Sequence, residues 1–331
     1  MKDVRKFLDP FILSILASAG LGCLLPLHGI GAVVGAHATT VAIGLLFFLY
    51  GARLSPAQAW AGVKHWRLHL TVFAATFALF PLLSLAARLL VPSVLTPVIY
   101  TGVVLLCAAP STVQSSIALT SIAKGNVAAA ICSASFSSLA GIVLTPVLVT
   151  LLARGQSVLS AASIGEIVLR LLVPFLAGQF VRRWLAPWLA AHRTITAIVD
   201  RGSILLVVYT AFSAGMVAGS WHQLNLPRFA GLIAVDVVLL AIALATTWFV
   251  GGRLGFDTPD RITIMFCGSK KSLSAGISMA GVLFAGHDIG LIVLPLMLFH
   301  QIQLMAGASL ARRLGRAGLA APTQRANLQF I

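Results

Sequence analysis

From about residue 8 to about residue 311 the chain passes through one apolar run after another, each about twenty residues long. Only short polar or basic stretches divide them. A helix of that length spans the hydrocarbon core of a bilayer. Helices can cross because each backbone polar group finds its partner within the element. Composition closes off the water-soluble alternative. Only 9% of residues are charged and 59% are hydrophobic, against about 25% charged in a typical soluble domain. Such a chain lacks the polar material to cover a surface in water. The expected class is an all-α integral membrane protein.

The net charge of +15 does not point to nucleic acid. That reading needs basic residues gathered on one face or motif, whereas here they fall in short clusters between apolar runs, as in cytoplasmic loops. Cys23, Cys107, Cys132 and Cys267 each sit in apolar sequence with no CxxC or zinc spacing. They read as small packing residues. No HExxH and no grouped carboxylates occur, so neither an enzyme nor a transition-metal site nor a bound cofactor is expected. The opening MKDVRKFLDP has no clear small-residue cleavage site and reads as the start of a retained first helix.

Ten segments are expected, at about 8–27, 32–52, 68–91, 95–122, 126–152, 164–188, 201–219, 228–250, 260–284 and 288–311. With both termini cytoplasmic, 17 of the 23 Lys and Arg lie inside, and Arg88, Arg154, Arg170 and Arg228 lie outside. Lys270 and Lys271 fall within the ninth segment. That asymmetry obeys the positive-inside rule. Five segments followed by five have opposite orientations, the arithmetic of an inverted repeat. Residues 1–152 are the expected first five-helix repeat, 153–313 the second, and 314–331 a cytoplasmic tail. The stretch LSPAQAWAGVKHWRLHL, 54–70, reads as a short interfacial helix.

Segments four and nine carry the chemistry. Pro110 removes a backbone donor and should break segment four. Gln114, Ser115, Ser116 and Thr120 follow the break. These can cap and pack, or they can face a cavity. In segment nine, Gly268 is the expected break, and Ser269, Lys270, Lys271 and Ser272 follow it. A charged lysine at mid-membrane costs about 2.5–3.5 kcal/mol or more. Successive lysines on a helix point about 100° apart and cannot share one environment. Acids able to pair with them are scarce: Asp236 lies within segment eight, while Glu166 and Asp288 open segments six and ten. An anionic substrate could supply the counter-charge. In segment ten His300 and Gln303 are three apart and share a face, with Gln301 beside them. His300 is the better candidate for handling protons.

The stretches TVAIGLLFFLYGARLS, KHWRLHL, PSTVQSSIALTSIAKGNVAAAICSAS, LLVVYTAFS, ITIMFCGSKKSLSAGI and LPLMLFHQIQLM resemble the bile acid:sodium symporter superfamily. The closer resemblance is to its bacterial symporter branch, related to solute carrier family 10 member 7. It implies ten helices in two inverted five-helix repeats, with discontinuous helices 4 and 9 crossing at the centre. It implies a panel domain of segments 1, 2, 6 and 7 and a core domain of segments 3–5 and 8–10. It also implies a secondary transporter of a small organic anion, bile-acid-like or a simpler carboxylate, working by alternating access in a bacterial inner membrane.

Sodium carries over poorly. Where the resemblance leads one to expect a glutamate and a glutamine in segment nine, Phe266 and Lys270 stand. A residual sodium site could use Ser115, Ser116, Thr120, Ser133 and Ser135. Alternatively Lys270 replaces the ion, and transport is proton-coupled or uncoupled. A non-transporting regulator or scaffold is the third reading. Expected partners are the lipid bilayer and the anion, with monomer and homodimer both open.

Overall fold

Turn chemistry sets the helix boundaries. The computed structural model describes residues 10–53, 65–153, 161–219, 225–285 and 287–320. The elements are α1 (Pro10–Leu24), α2 (Ile30–Arg53), α3 (Trp66–Ala74), a π-helical turn (Ala75–Leu79), α4 (Phe80–Ala87), α5 (Pro97–Ala108) and α6 (Val113–Ile122). There follow α7 (Val127–Leu152), α8 (Ala161–Ala191), α9 (Arg193–Val217), α10 (Leu226–Arg253), α11 (Thr258–Ser269), α12 (Leu273–Leu283) and α13 (Ile289–Ala320). Thr96, Asn126, Asn225, Asp257 and Ser272 cap α5, α7, α10, α11 and α12, each accepting from a backbone N–H in the first turn. Pro97 and Pro227 sit in first turns, where no N–H is needed.

The expectation of ten spanning helices is overturned. Among the described residues six helices are long and apolar enough to cross a membrane: Ile30–Arg53, Trp66–Leu90, Val127–Leu152, Thr194–Val217, Leu226–Arg253 and Ile289–Arg316. A seventh arises if α5 and α6, bent by 60°, count as one span. The described part of α1 has 15 residues, and α8 carries Glu166, Arg170, Arg182 and Arg183. Helices α11 and α12, of 12 and 11 residues, are separate short pieces. The fold is all-α and multi-pass, and its helices define no pair of inverted five-helix repeats. The inside–outside charge split depended on ten segments.

Other boundaries shift too. Trp66 to Leu70 open α3 rather than forming a separate interfacial helix, and residues 54–64 lie outside the described residues. Helix α13 runs past residue 313 to Ala320, and the rest of the expected tail, 321–331, is outside the described residues. So are residues 1–9, where the first helix was expected to start.

Side chains sort as they must in lipid. On α2, Ile43, Leu46 and Phe47 are buried while Ile30, Val33, Val34 and Val41 face out. Apolar residues on an outer face are stable only against acyl chains. With no hydrophobic drive between helices, small residues permit close packing. Helices α2 and α8 meet in this way. A Cβ on Gly51 would strike the Phe175 carbonyl, and one on Gly178 the Phe48 carbonyl. Helix α5 lies at the centre of the bundle, buried from Ile99 through Ala108.

Candidate functional site

Two interruptions meet at that centre, one between α5 and α6 and one between α11 and α12. Helix α5 stops at Ala108, Ala109–Thr112 run extended or irregular, and α6 starts at Val113. Helix α11 stops at Ser269, and α12 starts at Leu273. Pro110 therefore lies in the first break, as expected. Gly268 does not mark the second, which falls at Lys270–Ser272. Gly268 is helical, and a Cβ there would meet Ala75 Cβ at 3.0 Å and Thr247 Cγ2 at 3.1 Å. It serves close packing.

Breaking a helix in lipid strands its last carbonyls. Several of the freed carbonyls here find a donor. Leu106 O accepts from Ala109 N at 3.3 Å. Ala108 O accepts from Thr145 Oγ1 at 2.8 Å. Pro110 O accepts from Ser272 N at 2.8 Å, joining the two breaks. Cys267 O accepts from Ser111 Oγ at 2.7 Å, Phe266 O from Ser116 Oγ at 3.4 Å, and Lys271 O from Thr112 Oγ1 at 2.7 Å. Ser137 Oγ accepts from Ser111 N at 2.9 Å.

Cys107 O and Ala109 O go to the Lys271 ammonium, at 2.7 and 2.8 Å. Its third bond, 2.9 Å, is to Thr76 O. The Phe80 ring lies under Nζ, 4.2 Å to the centroid. Lys270 points elsewhere: its Nζ donates to Gln303 O at 2.8 Å. A Cβ at Gly307 would meet that Nζ at 2.8 Å. The two lysines thus occupy different surroundings, and extended backbone at Lys270, not a helix, sets their directions. Both are buried, and neither is bonded to a carboxylate.

Gln303 holds the second break from α13. Its Oε1 accepts from Lys271 N at 2.9 Å, and its Nε2 donates to Lys271 O at 2.8 Å. His300 Nδ1 is 2.8 Å from the same Nε2, so the expected shared face is real. The other residues disperse. Gln114 is exposed, outside the crossing. Gln301 is half-buried. Ser269 Oγ bonds its own helix at Met265 O, 2.6 Å, and Ser272 caps α12. Ser133 Oγ pairs with His69 Nδ1 at 2.7 Å, and Ser135 is buried. Ser115 Oγ and Thr120 Oγ1 are buried without a partner.

The sequence places Ser111 and Thr112 at the Pro110 break without showing their partners, and it does not point to Ser137, Thr145 or Gly307.

Asp236, on α10, is fully buried, and both carboxylate oxygens lack a partner. An unpaired buried polar group costs about 1–3 kcal/mol by mutational measure. Asp236→Leu should therefore raise thermal stability in detergent by about that amount. An unchanged or lower midpoint would mean that the carboxyl has a partner in the folded protein.

The model of the SBF-like CPA transporter family matches residues 9–316. "Uncharacterized protein PA2026" of Pseudomonas aeruginosa is 54% identical over 318 residues, 96% of each chain. "Putative symporter YfeH" of Escherichia coli is 47% identical over 312 residues, 94% of each chain. "Sodium/bile acid cotransporter 7" of Rattus norvegicus is 31% identical over 320 residues, 94% of this chain and 93% of that protein.

Proposed function

The chain belongs to the SBF-like CPA transporter family, and we propose that it carries a small organic anion across a bacterial inner membrane, coupled to a cation gradient. One observation carries the anion. Two ammonium groups are buried where the α5–α6 break meets the turn between α11 and α12, and neither is bonded to a carboxylate. Uncompensated positive charge in lipid is costly, and an anionic substrate offsets it. Lys271 spends its three N–H bonds on carbonyls. Lys270 has one such bond and two donors in hand, so Lys270 is the anion's contact. It sits beside Gly307 of α13 and Leu119 of α6.

The printed names of the relatives include a symporter and a sodium/bile acid cotransporter, which support sodium coupling and an acidic amphipathic substrate. Of the five hydroxyls considered for sodium, Ser133 is engaged by His69, while Ser115 Oγ and Thr120 Oγ1 are buried without a partner. Protons are the second coupling ion to test.

Reconstituted protein would be given labelled steroid conjugates and short carboxylates under a sodium gradient, a pH gradient, or neither. Saturable uptake of an anion, accelerated by one gradient, is expected. No gradient-driven uptake of any acid by folded protein would overturn the reading.

A further inference from the structure

The surroundings of Lys271 resemble an ion's coordination shell more than a side chain's packing. Three main-chain oxygens, of Thr76, Cys107 and Ala109, lie 2.7–2.9 Å from one nitrogen. The face of Phe80 closes the shell at 4.2 Å from the ring centroid.

Each oxygen is free for a local reason. Cys107 O and Ala109 O lie at the C-terminal end of α5, where the helix dipole is negative; the helix ends at Ala108, and Ser111 N, the next donor for Cys107 O, goes to Ser137 Oγ instead. Thr76 O lies in the π-helical turn. There Phe80 N has slipped back to Ala75 O, and the next residue able to reach Thr76 O in that register is Pro81, which has no N–H. The carbonyls left in this way converge on one point. Three acceptors match the three N–H bonds of an ammonium, and a neutral amine could supply only two.

We propose that Thr76 O, Cys107 O, Ala109 O and the Phe80 ring form a monovalent-cation site whose permanent occupant is the Lys271 ammonium, and that a protein without that side chain takes a free monovalent cation there. The occupant is tethered, so the crossing of the two breaks holds in any salt. The site is distinct in role from Lys270, and its test reads stability rather than transport, so either reading can fail without the other.

Lys271→Ala removes the ammonium and leaves room for a small alkylammonium. Thermal unfolding in detergent would be followed with sodium, potassium, ammonium or ethylammonium chloride, against N-methylglucamine chloride at equal ionic strength. The native midpoint should not depend on which cation is present. The variant's midpoint should be lower and should rise saturably, by about 5 °C, with its best cation. Ethylammonium ahead of sodium would identify hydrogen bonding as the cage's preference, and sodium ahead of ethylammonium would identify bare-ion coordination; both support the site. A folded variant indifferent to every cation would overturn it.

If Lys271→Ala folds in no salt, the native protein decides. Labelled with 15N-lysine, it should show an ammonium signal protected from solvent exchange that persists in Lys270→Gln. A neutral amine, or an ammonium exchanging as fast as surface lysines, would overturn the proposal.

Discussion

Gln303→Leu is expected to lower stability by about 3 kcal/mol or more, the larger of the single-site effects on folding outside the lysines. The substitution keeps the volume close and removes two partners at once. Lys271 N is left without an acceptor, and Lys271 O keeps only Thr112 Oγ1. Stranding buried backbone groups costs about 1–3 kcal/mol each, and no water is at hand to take them. Gln303→Glu separates the terms. It keeps the acceptor for Lys271 N and loses the donor to Lys271 O and His300, so its midpoint should fall between those of the native protein and Gln303→Leu. Thermal unfolding of the three proteins in one detergent checks the order. Equal midpoints for Gln303→Leu and the native protein would show that α13 does not hold the break.

Lys270→Gln is expected to weaken organic-anion binding at least tenfold, about 1.4 kcal/mol, while changing stability little. The ammonium has one hydrogen bond, to Gln303 O, which a glutamine amide can also make. What is lost is charge, and in a site shielded from water charge dominates attraction for an anion. Gly307→Val gives the complementary test. Its added carbons would meet Nζ and Leu119 Cδ1 at 2.8 and 2.7 Å or closer, pushing the ammonium aside without removing it. Binding should fall in both variants if Nζ itself touches the anion. Binding kept in Lys270→Gln would move the anion away from this lysine.

Part of this site could be read from the chain. Pro110 in an apolar run announces a break, because a missing N–H and a crowded turn leave a helix little choice. Adjacent lysines in a second run announce an unusual burial. The spacing of His300 and Gln303 places them on one face, and the structure joins them. The count of spans was less legible. Hydropathy adds α11 to α12 across residues 270–272, whereas the backbone treats them as two short helices. Gln114 shows a second limit. Helical phase does not carry across a 60° bend, so sequence could not say that Gln114 would be exposed. The cage around Lys271 shows a third. Its oxygens are carbonyls that every residue possesses, and only the chain's path brings Thr76 beside Cys107 and Ala109.

That third limit has a consequence for how the protein can change over generations. A carbonyl cannot be mutated away. Substitutions at positions 76, 107 and 109 leave the three oxygens in place so long as the backbone keeps its route, and the codon for Lys271 is the one whose loss removes the charge. Selection would therefore guard the crossing mainly through Pro81, Pro110 and Lys271, the positions that shape the route and fill it. The side chains around Lys270, Gln303 apart, carry no such duty, and under the proposed function a lineage can retune its substrate without rebuilding the joint.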